Sequence, residues 1–123
     1  MINVTVAQKR IQESFVGFPE RVTEAYLAFA EHEDMNSLDI AVLGVLQFYL
    51  AKKPTESLDS LPGTTRLVED LGCDSLTMMD TVFMVETLLE IKIIDTELAR
   101  MATLDDLRGY IRHRVKSGAT TAA

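Results

Sequence analysis

Apolar positions along the chain recur mostly at three- and four-residue spacing, the period of helices buried on one face. Val4, Gln8, Ile11 and Phe15 form a first, thin stripe that predicts a helix over residues 4–15. Gly17-Phe18-Pro19 interrupts it. Pro19 suits a first helical position, because the N–H it lacks is one that a helix start leaves unbonded. Val22, Ala25, Tyr26 and Phe29 then predict a second helix to about Glu33. Asn36 or Ser37 can cap a third, with Leu38, Val42, Val45, Leu46 and Tyr49 facing inward. Lys52 and Lys53 complement its negative carboxyl end, and Pro54 stops it.

Residues 54–66 are rich in Pro, Thr, Ser and Gly and predict a long loop, pinned to the core by Leu58, Leu61 and Leu67. A fourth helix follows from Ser75 to about Leu89, with Met78, Val82, Val85 and Leu89 as its core stripe. A short segment, Asp95–Met101, leads to Thr103-Leu104-Asp105-Asp106, a capping box with Asp in the place of Glu. It opens a last helix with Leu104, Leu107, Ile111 and Val115 on one side. The expected fold class is all-α: a helical bundle over residues 36–116, a helical extension over 1–35 and a flexible tail over 117–123. No internal repeat and no further domain boundary is visible.

Composition narrows the setting. Trp is absent and only 6 Gly and 3 Pro occur, which favours helices over a sheet sandwich. The net charge of -7 argues against nucleic acid and anionic membranes, which are bound through Lys and Arg, and suits partners with basic patches. The single cysteine, Cys73, permits no internal disulfide, so a reducing, cytoplasmic location is expected. No apolar run reaches the length that spans a bilayer, and the amino terminus lacks the basic and apolar regions of a secretory signal.

The fourth helix carries the candidate chemistry. At about 100° per residue, Leu76, Met79 and Phe83 point away from the core stripe, among Asp80, Glu86 and Glu90. An outward apolar patch among carboxylates fits a docking surface: the apolar side chains supply contact energy and the acids set orientation. Ser75 stands at the amino end of this helix, after Gly72, which permits a tight turn. On helix physics alone, Asp74-Ser75 reads either as a structural cap or as a hydroxyl presented for a phosphate-linked group. In the second case the helix dipole tolerates the negative charge.

The string Val68-Glu69-Asp70-Leu71-Gly72-Cys73-Asp74-Ser75-Leu76, followed by Asp80, Ile93-Ile94-Asp95, Ala102-Thr103-Leu104 and Tyr110-Ile111, resembles the acyl carrier protein family. The resemblance covers roughly residues 38–115 and implies a four-helix carrier fold. It implies that 4′-phosphopantetheine, taken from coenzyme A by a phosphopantetheinyl transferase, is attached to Ser75, with Asp74 and Leu76 flanking the site. It also implies that the arm's thiol holds fatty-acyl or related acyl groups as thioesters. Met79, Asp80, Phe83 and Glu86 match the surface that meets partner acyl synthases and transferases. The chain would then be a carrier and not an enzyme. A peptidyl or aryl carrier, or an unmodified helical adaptor, are the competing readings.

Departures from the family pattern are specific. The place three residues after the Asp-Ser pair, where an acid is common, is Met78 or Thr77; Ile94 replaces a common Pro; Met84 and Leu88 replace small or charged residues. Ile40, Leu43, Phe48 and Leu50 make the outer side of the third helix unusually apolar. Either residues 4–33 cover part of these positions, with the chain a monomer, or a homodimer interface does. Elsewhere, Cys73 reads as a small turn filler, and Asp74 beside it disfavours a reactive thiolate. His32 and His113 lack metal-ligand spacing. Arg108, Arg112, Arg114 and Lys116 read as a solvated face that complements a helix dipole. Met78, Met79, Met84 and Met101 read as adaptable core or groove residues.

Overall fold

In the computed structural model, which describes residues 2–117, six α-helices follow one another: α1 Val4–Ser14, α2 Glu20–His32, α3 Met35–Tyr49, α4 Ser75–Leu89, α5 Asp95–Leu98 and α6 Leu104–Lys116. A 3₁₀ turn, Leu58–Ser60, lies inside the expected 54–66 loop, and no strand occurs among the described residues. The all-α expectation holds. The tail expected from residue 117 onward lies, beyond Ser117, outside the described residues.

Helix starts follow local chemistry. Asn3 caps α1 by accepting from the Val6 N–H, and Thr103 with Asp106 forms the reciprocal box at α6. Two starts differ from expectation. Pro19 is the N-cap of α2 and not its first residue. Asp34, and neither Asn36 nor Ser37, caps α3, its carboxylate accepting from the Asn36 N–H and the Ser37 hydroxyl. A carboxylate caps as well as a hydroxyl and sits closer to the left-handed Glu33 that ends α2. In α1 Ala7 is buried and Gln8 is exposed, so this one member of the expected stripe moves back by a residue, while Ile11 packs on the core and Phe15 is buried as expected. A polar amide has no reason to enter a core where a methyl fits.

The first two helices belong to the core. Tyr26 and Phe29 of α2 are among its largest fully buried side chains. α2 crosses α3 closely at Gly44, where an added Cβ would lie 2.5 Å from a methyl of Val22. Phe18, in the break between α1 and α2, stacks on Phe48 of α3 at 3.9 Å between ring centres. The other flank of α3 lies under the 54–66 loop. There the Gln47 side chain bonds the Leu58 N–H and the carbonyls of Pro54 and Glu56. Leu43 and Leu50, expected on an outer side, are therefore fully buried, and Ile40 and Phe48 are half-buried.

The core face of α4 is also rotated from expectation. Thr77, Thr81, Val85, Leu88 and Leu89 are buried, whereas Met78 and Val82 are only half-buried. Threonine enters because its hydroxyl is satisfied locally: Thr81 donates to the Thr77 carbonyl at 2.8 Å, and Thr77 to the Tyr49 carbonyl at 3.4 Å. The small side chains let α3 and α4 approach, and the half-buried Met78 and Val82 form the wall of a groove.

Candidate functional site

The turn that carries Ser75 is held by backbone bonds on both sides. Leu67 N–H donates to the Ala102 carbonyl at 2.9 Å and Leu104 N–H to the Thr65 carbonyl at 3.0 Å, fastening the segment before α4 to the start of α6. Arg66 grips Asp70 through its backbone N–H at 2.8 Å and its guanidinium at 3.0 Å. Gly72 takes φ +68° with open space around its α-carbon, a backbone that other residues adopt only under strain. Cys73 then points inward; its N–H bonds the Leu67 carbonyl at 2.9 Å, and burial pushes its thiol pKa up. Its buried position fits the turn filler that the sequence suggests.

Asp74 caps α4. Its carboxylate accepts from the Thr77 N–H at 2.8 Å, and that bond holds the carboxyl below the ordinary range, so it is ionised at neutral pH. The exposed Ser75 side chain is therefore not needed as the cap and stands free as the first residue of the helix. Because the Asp74 carboxylate already serves the first turn, a phosphate ester on Ser75 would gain less from the helix end than the sequence alone suggested.

Ser75 opens onto a groove of about 560 Å³ between α4 and α5. Met78, Met79, Val82 and Phe83 form one wall, Leu98 and Ala99 the other, with Glu86 and Asp95 at the rim. Leu76, Met79 and Phe83 are 66%, 67% and 72% exposed, beside exposed Asp80. Of the residues marked for docking, Glu86 differs: it is half-buried and its carboxylate accepts from the Ile93 N–H at 2.8 Å, which fixes the α4–α5 connection. Glu90 is drawn away altogether, paired with Arg10 of α1 at 2.9 Å.

The opposite face of α4 meets the amino-terminal helices. The Leu88 carbonyl accepts from the Tyr26 hydroxyl at 2.5 Å and from the Arg10 guanidinium at 3.1 Å. Such last-turn carbonyls have no partner within their own helix. Sequence reasoning did not single out Tyr26 or Arg10; a tyrosine in an otherwise apolar stripe was the available signal, since a buried hydroxyl requires an acceptor. Three of the four Arg and Lys residues of α6 are engaged internally: Arg112 pairs with Asp39, Arg108 with Asp105, and Arg114 donates to the Lys92 carbonyl. Among the described residues no three His, Cys, Asp or Glu side chains converge as metal ligands, and no helix is long and apolar enough to cross a membrane.

No family model and no solved structure matches the chain. Curated relatives do. An acyl carrier protein of Campylobacter fetus is 26% identical over 72 residues, 58% of this chain and 94% of the relative. One of Thermotoga maritima is 34% identical over 50 residues, 41% of this chain and 62% of the relative. One of Campylobacter jejuni is 30% identical over 53 residues, 43% of this chain and 69% of the relative. These matches span 58%, 41% and 43% of this chain. With the helical fold and the Asp74-Ser75-Leu76 turn, they show that the chain belongs to the acyl carrier protein family.

Proposed function

We propose that this protein carries fatty-acyl or related acyl intermediates as thioesters on a 4′-phosphopantetheine arm attached to the Ser75 hydroxyl. The observation that carries the reading is the placement of an exposed, uncommitted Ser75 at the mouth of the apolar α4–α5 groove. The arm supplies the terminal thiol. The chain supplies the rest: Gly72 and the Asp74 cap hold Ser75 outward, and Met78, Val82 and Leu98 offer an apolar bed. Leu76, Met79 and Phe83, with Asp80 at their edge, form the face that meets a transferase and then acyl synthases or transferases. Glu86 contributes by fixing the α4–α5 connection.

Residues 36–116 act as the carrier unit and residues 1–35 as its permanent cover. Phe18 on Phe48 and the buried Tyr26 ring cover apolar surface within one chain, which supports a monomer over a homodimer. The role is that of a cytoplasmic carrier and not an enzyme. The test is intact mass after incubation with coenzyme A, Mg²⁺ and a broad-specificity phosphopantetheinyl transferase. A phosphopantetheine-sized gain, absent in Ser75→Ala, is expected. No gain would leave the α4 face as that of an unmodified adaptor. Release of the cargo from protein purified from its host, by hydroxylamine, separates acyl from aminoacyl groups.

A further inference from the structure

The amino-terminal helices do more than hide apolar surface. Tyr26 is 0% exposed, and its ring enters between α3 and α4 among Ala41, Val42, Val45, Val85, Leu88 and Leu89. The space left there is about 10 Å³ and wholly apolar, room for one water at most and offering it no partner. The α4–α5 groove, in contrast, holds about 560 Å³. Val82 lines the groove; Val85 and Leu89, farther along the same helix and turned inward, line the filled space. An apolar chain that begins at Ser75 thus finds an open volume in the groove, while the space between α3 and α4 is occupied by the Tyr26 ring.

We propose that Tyr26 is a specificity-determining residue that blocks the interior between α3 and α4 and confines cargo on Ser75 to the α4–α5 groove, setting an upper length for what is sheltered. This rests on the carrier reading above. Two features keep the stopper in place. The Tyr26 hydroxyl donates to the Leu88 carbonyl, and Phe15 packs on its ring at 5.3 Å between centres. Moving the ring aside would cost the Leu88 carbonyl one of its two donors and open a void. Chain atoms that pass the end of the groove therefore stay in water, where they add no stabilisation. The span from Ser75 to Glu86 is about 16 Å along the helix, and cargo longer than this gains no further shelter.

The test does not depend on enzymatic loading. In a Cys73→Ala background, Ser75→Cys is alkylated with N-alkyl iodoacetamides of increasing chain length, and the melting temperature of each adduct is measured. In the parent, melting temperature is expected to rise with chain length and then level off. Tyr26→Phe, which keeps the ring and loses the hydroxyl, should level off at the same length. Tyr26→Leu, which keeps an apolar side chain and the fold, should level off at a longer one. A parent curve that never levels off overturns the proposal. So does the same plateau in Tyr26→Leu, or no dependence on length in any variant. Failure of a transferase to load Ser75 would count against the carrier reading alone, because the alkylated series measures the stopper independently.

Discussion

The two faces of α4 are built on opposite principles. Toward α2 the helix is sealed: Leu88 is 2% exposed, and its carbonyl is bonded by Tyr26 and Arg10. Toward α5 it is open: the groove beside Ser75 stays unfilled, and Leu76, Met79 and Phe83 face solvent. Both faces are apolar in sequence. The difference lies in whether the chain supplies its own partner. A surface covered from within contributes to folding; a surface left bare costs solubility and is retained for an outside partner. One helix can therefore be an anchor on one face and a presenting element on the other.

Removing the anchor should give the largest effect. Tyr26→Ala is expected to destabilise the protein by about 3–5 kcal/mol in urea denaturation, the range for a large buried aromatic lost from a packed site. A loss below 1 kcal/mol would mean that α2 is not part of the core.

The two helical glycines sharpen the contrast between sealed and open surfaces. Gly44→Ala places a methyl against Val22 across the α2–α3 crossing. Overpacking of about 1–3 kcal/mol should outweigh the helix propensity gained, about 1 kcal/mol. Gly109→Ala on α6 meets nothing within 4 Å, so it should stabilise by about 0.5–1 kcal/mol. Equal and positive effects at both positions would show that α2 does not press on α3.

On the bare face, Phe83→Ala should leave stability within about 0.5 kcal/mol of the parent. The kcat/KM for loading by a transferase should fall by about tenfold, as for a contact residue central to an interface. An unchanged rate would remove Phe83 from the docking surface.

The smallest effect concerns acid. The carboxyls of Asp70 and Asp74 beside Ser75, and Asp106 at the joined start of α6, are held below the ordinary range. The causes are the Arg66 side chain, the Thr77 N–H and the Ala102 N–H, respectively. Groups depressed in the folded state stabilise it above their unfolded pKa, about 4, and lose that contribution as pH falls through the folded values. The bond at the centre of the Tyr26 seam joins a hydroxyl to a backbone carbonyl, and burial pushes the phenol upward, away from neutrality. Amide exchange near pH 3 should thus rise around residues 66–77 before it rises in α2. The reverse order would refute the division.

Much of this protein was legible from local pattern. Spacing of apolar residues located the helices, and the Glu69-to-Leu76 string located Ser75, because both depend on residues near one another in sequence. The errors arose where the choice of partner was not local. Thr77 and Thr81 were passed over for Met78 and Val82 because hydropathy ranks methionine and valine above threonine. Burial here was decided by short side chains between close helices and by hydroxyls that bond carbonyls at hand. Leu43 and Leu50 read as an outer side that residues 4–33 or a second copy would cover; both are fully buried within the one chain, and which segment arrives there is not a local property of the third helix.

The sequence by itself determined that the chain is helical, where its helices begin within a residue or two, and which serine stands exposed at a helix start. These follow from periodicity, capping and backbone preference. Tertiary structure alone decided which apolar face is sealed and which is open. That depends on where Tyr26, Phe18 and Arg10 arrive after the chain has turned back on itself, and burial is a property of the assembled surface and not of any one segment.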